Sequence, residues 1–138
     1  MNHECALCHT SGEDIVWQNK LARVIMVNDA QYPGFCRVIL NRHQAEMTDL
    51  NAAERLELMN IVWAVESVQR AALNPTKINL ASLGNMVPHV HWHIIPRWHD
   101  DPHFPAPIWA QADPMKTPHG ISQEQLAQLR AQLEQLKP

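Results

Sequence analysis

The chain has 138 residues, 46% of them hydrophobic and 18% charged, which predicts one globular domain with a single core. Its longest unbroken apolar run, Ile61–Val65, has five residues, whereas a membrane-spanning helix needs about 20, so no membrane span is expected. Eleven Lys and Arg against 14 Asp and Glu give a formal net charge of −3, which argues against duplex nucleic acid as a partner.

The N-terminal segment carries two of the three cysteines. Its first residues lack the basic and apolar stretches of a secretory signal, so we expect a cytoplasmic protein with reduced thiols. Cys5 and Cys8 have the spacing C-x-x-C, which suits two ligands of one tetrahedral metal but also fits a redox dithiol or an incidental pair. Cys36 heads an apolar run and is expected to be a small buried residue.

Three strands are predicted in the first third of the chain. Two β-rich runs, Asp14–Gln18 and Ala22–Val27, are separated by Asn19-Lys20-Leu21 and predict a hairpin. Pro33-Gly34 predicts a turn, after which Arg37–Leu40 is the third strand.

A long helix, two more strands and a final helix follow. A capping box at Asn51 begins an amphipathic helix that extends to about Ala72. Strands are predicted at 78–81 and 89–95, and a stripe of leucines predicts a helix from Ser122 that packs on the body or on a second subunit. This order of elements predicts the α+β class.

Histidines dominate the last predicted strand. From His89 to His93 they alternate with apolar residues, so three imidazoles lie on one face and can surround one small anionic group. Two uses remain open: the imidazoles hold a metal that activates water, or one neutral imidazole attacks phosphorus while its neighbours bind the phosphoryl oxygens. Gly84 and Asn85 favour the second use, because a glycine admits backbone amides to an anion and an amide donates to a phosphoryl oxygen.

The run His89-Val90-His91-Trp92-His93-Ile94-Ile95 resembles the histidine triad (HIT) motif, in which three histidines alternate with apolar residues. The C-x-x-C pair, the hairpin, the Pro-Gly turn and the capped helix also match, so the resemblance covers about residues 5–110. It implies a single HIT domain over residues 1–138, with a core at about 5–110 and a C-terminal tail and helix at 111–138. The implied fold is α+β and HIT-like, a five-stranded antiparallel sheet with one long helix and a C-terminal helix, and the implied assembly is a homodimer.

The resemblance also implies roles for individual residues. The middle histidine, His91, is the nucleophile that attacks the α-phosphorus of a nucleotide and forms a nucleotidyl-imidazole intermediate, and His93 contacts the phosphoryl oxygens. Asn79 corresponds to the asparagine near the α-phosphate, and Asn85 lies where the family usually carries glutamine. Asp29 is the nearest candidate for the ribose-binding acid, and it fits a solvated turn residue equally well. The implied catalytic set is His89, His91 and His93, and the implied substrate-binding set is Asp29, Asn79, Gly84 and Asn85.

A structural zinc ion is implied by the same resemblance. Some family members and the related galactose-1-phosphate uridylyltransferases bind zinc through a C-x-x-C pair, a histidine after the third strand and the first histidine of the triad. Here these positions carry Cys5, Cys8, His43 and His89, which form a closed set of four ligands. No cofactor is implied for catalysis itself.

The implied activity is hydrolysis at the α-phosphate of a purine nucleotide derivative, either a nucleoside 5′-phosphoramidate or a dinucleoside polyphosphate. Three alternatives stay open. A nucleotidyltransferase uses the same intermediate, a nucleotide-binding module binds without turnover, and a metal-dependent hydrolase uses the three histidines as ligands.

A Pro- and His-rich stretch after the triad predicts an irregular loop. Trp98 and Trp109 lie in this loop. By resemblance to the family, they are expected either to pack at a dimer interface or to influence substrate specificity. The polar residues there are expected to be solvent-exposed rather than to form a second metal site. They are His99, Asp100, Asp101, His103 and His119.

Overall fold

The computed structural model describes residues 4–138, which form a five-stranded antiparallel sheet and two α-helices and so confirm the predicted α+β class. Residues 1–3, part of the segment in which no secretory signal is found, lie outside the described residues. No helix within the described part of the chain is long and apolar enough to cross a membrane. In chain order the elements are β1 (Asp14–Gln18), β2 (Ala22–Met26), β3 (Cys36–Leu40), α1 (Ala52–Leu73), β4 (Lys77–Ala81), β5 (His91–Arg97) and α2 (Gln123–Glu134).

The sheet places the histidine strand between two others. Its order is β1-β2-β3-β5-β4, and every neighbouring pair is antiparallel. Arg37 of β3 lies opposite His93 of β5, and Asn79 of β4 lies opposite Ile95. Because directly paired residues project from the same face of a sheet, these side chains share one face with His91.

The other face of the sheet carries the main core. Val90, Trp92 and Ile94 project into the apolar cluster formed with both helices, whereas His91 and His93 project to the opposite side. The alternation predicted for the histidine run is therefore confirmed from residue 90 to residue 94. Each large apolar side chain buried in this way contributes about 1.5–3 kcal/mol, so the core holds the histidine strand in register.

Both helices begin at side-chain caps, and the cap of α1 at Asn51 was predicted. The Asn51 side chain accepts a hydrogen bond from the main-chain N–H of Glu54, the third residue of α1. Asn74, directly after the last residue of α1, has the left-handed conformation with φ +47°. Ser122 caps α2 in the same way. Leu129 and Leu133 of α2 are fully buried, which confirms that the last helix packs on the body of the domain.

The turn before β3 packs tightly against α1. Gly34 has φ +87°, and a Cβ atom there would lie 2.6 Å from Cδ1 of Leu73. Gln69 of α1 is fully buried and donates hydrogen bonds to the carbonyl oxygens of Gly34 (2.8 Å) and Ile94 (2.9 Å). Cys36, just after the turn, is fully buried as predicted. The turn, the long helix and the histidine strand are thus joined to one another.

The histidine strand begins two residues later than predicted. It spans His91–Arg97 rather than 89–95, because the main-chain N–H of His89 donates to the carbonyl of Val87 at 2.8 Å across a tight turn around Pro88. His89 therefore lies outside the regular ladder, and its side chain meets different neighbours from those of the other two histidines.

Candidate active site

Four side chains converge at the start of the histidine strand: Cys5, Cys8, His43 and His89. Their ligand atoms all lie within 4.8 Å of one another. The sulfur of Cys8 is 3.3 Å from Nδ1 of His43, that of Cys5 is 3.5 Å from Nδ1 of His89, and the two Nδ1 atoms are 3.2 Å apart. Zinc–sulfur and zinc–nitrogen bonds of about 2.3 and 2.0 Å in a tetrahedron put ligand atoms roughly 3.3–3.8 Å apart. These residues can therefore hold a metal ion, and their donor set suits zinc.

His89 has one nitrogen for a metal and one for the protein. Its Nε2 lies 2.6 Å from the carbonyl oxygen of Leu40, to which it donates, so Nδ1 carries the unshared electron pair toward the cysteines. Ala6–Cys8 forms a short 3-10 turn that brings the two thiols together, and His43 follows the end of β3. A closed set of four protein ligands leaves no open position, which is typical of a structural site.

His91 is held as a neutral imidazole with one nitrogen free. Its Nδ1 lies 2.6 Å from the main-chain oxygen of His89 and donates to it, so Nε2 carries the unshared pair that a nucleophile needs. Burial lowers the pKa of His91, the carbonyl acceptor opposes this shift, and the charge of Arg37 adds to it. Because its pKa is lowered from an ordinary value of 6.5, the ring is neutral at pH 7. The residue is 8% exposed, so a ligand can reach it.

His93 is held in the opposite tautomer. Nε of Arg37 donates to its Nδ1 at 3.3 Å, so the hydrogen of the His93 ring is on Nε2. Burial, and then the charges of Arg37 and His91, lower the pKa of His93 to about 4. The ring centroids of His91 and His93 are 5.0 Å apart. A nitrogen with an unshared pair and a hydrogen-bond donor thus sit on adjacent rings, which suits attack on phosphorus with support of a phosphoryl oxygen.

The amide of Asn79 is fixed with its donors available. Its oxygen accepts a hydrogen bond from Nη1 of Arg97 at 2.7 Å, which leaves the NH2 group to donate to a ligand. Arg97 is 2% exposed, and its other donors reach the carboxylate of Asp101 (2.7 and 3.0 Å) and the carbonyl of Ala106. A donor held on the triad face suits an anionic ligand.

The prediction that Asp101 is solvent-exposed is wrong, because this carboxylate is fully buried. It accepts hydrogen bonds from Arg97 and from the main-chain amides of Trp98, His103 and Phe104. Burial alone would raise its pKa, but the hydrogen bonds, that from Arg97 first, hold the pKa of Asp101 well below its usual range. Asp101 is therefore the charged centre around which the loop after β5 folds.

The other polar residues of this loop have mixed environments. His103 is half-buried and hydrogen-bonds through Nδ1 to the hydroxyl of Tyr32, whereas His99 is exposed as predicted. The ring of His119 stacks on Trp98 with centroids 4.4 Å apart. Within residues 4–138 these side chains form no second group that could hold a metal.

Three predicted substrate-binding residues are not joined to the triad by any hydrogen bond among the described residues. Gly84 and Asn85 lie in the loop between β4 and β5, where Gly84 has φ +135° and Asn85 is exposed. The carboxylate of Asp29 accepts from the main-chain N–H of Gln31 at 2.9 Å, as in an Asx turn. Burial lowers the pKa of Arg37, and the charge of Asp29 opposes that shift. The roles of all three in substrate binding stay predictions.

Two features border the triad. A cavity of about 300 Å³ lies between the N-terminal segment and β2, with Leu7 and Ile25 in its walls and Arg37 beside it. On the other side the ring of Trp109, which is 51% exposed, lies with its centroid 5.2 Å from that of His93. A ligand at the triad would therefore have room on one side and an aromatic surface on the other.

Comparison with protein families matches residues 10–100 to the HIT domain. The chain belongs to the HIT family. This HIT protein is 28% identical over 96 residues to an AP-4-A phosphorylase of Mycobacterium tuberculosis, covering 65% of the chain and 49% of that protein. It is 30% identical over 91 residues to the asymmetrical bis(5′-nucleosyl)-tetraphosphatase of Schizosaccharomyces pombe, covering 62% of the chain and 50% of that protein. The chain thus spans about half the length of the curated relatives it matches.

Solved structures agree with this assignment. A histidine triad protein from Bradyrhizobium japonicum superposes with a TM-score of 0.71 and 26% identity over 89% of this chain and 90% of that one. A histidine triad protein from Marinobacter aquaeolei VT8 superposes with a TM-score of 0.70 and 28% sequence identity, over 90% of this chain and 92% of that one. A Zn-bound histidine triad family protein from Mycobacterium smegmatis superposes with a TM-score of 0.66 and 18% sequence identity, over 96% of this chain and 94% of that one. This similarity shows that the two proteins share a fold.

Three residues of the HIT site are not revealed by the motif itself. Arg37 could have been found from its strand, because Cys36 and Val38 point to the core and place Arg37 on the histidine face. Arg97 and Asp101 have a weaker signal, opposite charges four residues apart directly after the triad. The contact of Arg97 with Asn79 depends on strand pairing, which a single sequence does not show.

Proposed function

We propose that the protein is a nucleotide hydrolase that cleaves at the α-phosphate of a nucleoside 5′-phosphoramidate or a dinucleoside polyphosphate. One observation carries this proposal: the Nδ1–H of His91 donates to the carbonyl of His89, which leaves Nε2 as a neutral nucleophile. The names of the two curated relatives, a phosphorylase and a tetraphosphatase, support a dinucleoside polyphosphate substrate.

The reaction follows from the states of the two histidines. Nε2 of His91 attacks the α-phosphorus and a phosphorus–nitrogen bond forms. The bond from phosphorus to the leaving group breaks, and the leaving group keeps the electron pair and, when it is an amine, takes a proton from solvent. Water then attacks the same phosphorus and gives a proton to solvent, and the electron pair of the breaking phosphorus–nitrogen bond returns to Nε2 of His91 as the nucleotide is released. The Nε2–H of His93 and the amide of Asn79 donate to the phosphoryl oxygens, where negative charge builds up in both steps.

The nucleoside would occupy the cavity between the N-terminal segment and β2, which lies on the triad face. Asp29 directly follows Asn28, which lines this cavity, and is proposed to bind the ribose hydroxyls. The base is proposed to be a purine. Gly84 and Asn85 are proposed to close over the phosphate from the loop between β4 and β5.

A zinc ion would be held by Cys5, Cys8, His43 and His89, in line with the Zn-bound relative from Mycobacterium smegmatis. When bound, it supplies structural cross-linking of the N-terminal turn, the end of β3 and the start of β5. The reaction at phosphorus uses the imidazole of His91, so the four-ligand site supports the nucleophile without taking part in bond making.

The test is AMP release from adenosine 5′-phosphoramidate and from diadenosine tetraphosphate by the wild type and by His91→Ala. Removing the nucleophile is expected to lower turnover by roughly a thousandfold or more. His99→Ala is the matched control, because this histidine is exposed and lies outside the triad. Equal turnover by the wild type and His91→Ala would refute the proposed mechanism, and AMP binding with no release would favour a nucleotide-binding module.

A transfer reaction is the second candidate, favoured by the phosphorylase name of the Mycobacterium tuberculosis relative. A phosphorylase lets inorganic phosphate, rather than water, take the nucleotide from the histidine. Assays of diadenosine tetraphosphate with added phosphate separate the two: ADP from the adenylyl group indicates transfer, and AMP indicates hydrolysis.

The homodimer and the cytoplasmic location are proposed from the family resemblance. Leu56 and Trp63 of α1 are 58% and 47% exposed, and such apolar side chains on one helix support an interface there. Sedimentation analysis is expected to give twice the chain mass, and Trp63→Glu is expected to shift the protein toward the monomer. A wild type that sediments as a monomer would contradict the proposed dimer.

A further inference from the structure

Arg37 is held in place on the triad face by two contacts. It lies opposite His93 in the sheet, and its Nε donates to Nδ1 of that histidine at 3.3 Å. Its Cζ atom lies 5.4 Å from the ring centroid of Phe35, so the plane of the guanidinium is supported from one side. The head group is therefore fixed beside the reacting histidines.

This arginine differs from the two others on the same face. Arg23 is paired with Glu13 and Arg97 with Asp101, each at 2.7 Å. Among residues 4–138 no carboxylate oxygen comes within 4.0 Å of Arg37, although Glu13 and Asp29 act on it from farther away.

The free donors of Arg37 define what it can bind. A guanidinium has five N–H donors, of which the Nε–H is used on His93. The four donors on Nη1 and Nη2 have no acceptor among the described residues. A half-buried cation without an acidic partner is unfavourable until an anion pairs with it, and the planar donor pair of arginine matches two oxygens of a phosphate.

We propose that Arg37 binds the substrate's phosphate through Nη1 and Nη2 and, through Nε, positions His93 as a hydrogen-bond donor to the same phosphate. The proposal rests on the proposed function, because it needs a phosphate at the triad. The ligand class is a phosphate monoester, diester or phosphoramidate attached to a nucleoside. Stacking of the guanidinium on the base is the competing arrangement, and it predicts a different pattern of affinities.

Equilibrium binding separates these arrangements without turnover. Calorimetry with adenosine and with AMP compares the wild type, Arg37→Met, Arg37→Lys and the control Arg70→Met, which removes one charge from the exposed side of α1. Arg37→Met is expected to weaken AMP binding roughly 10- to 100-fold, the effect of losing hydrogen bonds to a charged group, and to change adenosine binding less than about threefold. Arg37→Lys is expected to give an intermediate loss for AMP, and Arg70→Met no change.

Two outcomes would overturn the phosphate assignment. Equal losses for adenosine and AMP would assign Arg37 to the base, and no loss for either would remove it from the site. Adenosine affinity reports whether the variant is folded, and if Arg37→Met does not fold, the AMP-specific loss in Arg37→Lys decides the question.

The positioning of His93 has its own readout. Nitrogen-15 NMR of the ring is expected to show the Nε2–H tautomer in the wild type and a mixture of tautomers in Arg37→Met. An Nδ1–H tautomer in the wild type would refute this part of the proposal. If the wild type releases no AMP while the AMP-specific loss persists, the proposed hydrolysis fails and the role of Arg37 in phosphate binding stands.

Discussion

The triad histidines are chemically distinct although their spacing in the sequence is uniform. His89 donates through Nε2 to Leu40, His91 donates through Nδ1 to the backbone of His89, and His93 accepts at Nδ1 from Arg37. One ring thus belongs to the candidate metal site, one has a free electron pair and one has a free N–H. The identity of the hydrogen-bond partner, rather than the residue type, determines the role of each imidazole.

Burial of neutral His93 makes the stability of the fold depend on pH. Its pKa is about 4 in the folded protein against an ordinary value of about 6.5, so the unfolded chain binds a proton more readily in this window. Neutral His93 therefore contributes fully to the free energy of unfolding above about pH 6.5. This contribution, about 3 kcal/mol at most, is lost as the pH falls to about 4. Urea unfolding of the wild type and His93→Gln at several pH values measures this slope, with His99→Gln as the control. A slope that persists unchanged in His93→Gln would assign the effect elsewhere.

Asp101 is expected to be the most sensitive acidic residue in the loop. Asp101→Asn leaves the buried guanidinium of Arg97 without its counter-charge and should lower the free energy of unfolding by about 3–5 kcal/mol. Asp100→Asn is the adjacent control, because the Asp100 side chain is 69% exposed and its loss should change stability by less than about 1 kcal/mol. Chemical denaturation at pH 7 compares the two, and similar values would refute the structural role of Asp101.

At the scale of elements, the position of β5 explains how the site is assembled. It lies between β3 and β4, so its outward side chains receive one neighbour from each, Arg37 from β3 and Asn79 diagonally from β4. The strands, both helices and the cap of α1 were predictable because each depends on residues close together in sequence. The pairing of Arg97 with Asn79 and the burial of Asp101 were not, because they depend on the order of strands and on a loop without periodicity.

The turn between β2 and β3 offers a test at this scale. Gly34→Ala combines an unfavourable positive φ with contact against Leu73 and should destabilise the protein by roughly 2–4 kcal/mol. Gly12→Ala has a similar φ but no atom within 4 Å, so it should show only the backbone effect of about 1–2 kcal/mol. Thermal unfolding of the two variants measures the difference, and equal values would mean that Leu73 gives way at no cost.

At the scale of the whole molecule, the proposed metal site joins parts that are far apart in the chain. Cys5 and Cys8 come from the N-terminal turn, His43 from the end of β3 and His89 from the approach to β5. A metal there adds cross-links between residues up to 84 positions apart. Because these four ligands come together only in the folded chain, metal binding should stabilise the fold.

Metal content and unfolding temperature test this cross-link independently of activity. The purified protein is expected to contain one zinc per chain, and chelation should lower its unfolding temperature by several degrees. Cys8→Ser should abolish stoichiometric zinc, whereas Cys36→Ser should retain it, because Cys36 is buried in the core away from the cluster. Full zinc content in Cys8→Ser would exclude this ligand set.

The acceptor that orients His91 is a main-chain carbonyl, that of His89. Every residue has such a carbonyl, so replacing the side chain at position 89 removes a metal ligand but leaves this acceptor in the chain. The proposed metal binding and the proposed phosphorus chemistry are therefore separable during evolution: a descendant that lost its thiols and the first histidine would still present the second histidine with Nε2 unprotonated, provided that packing keeps the backbone in place.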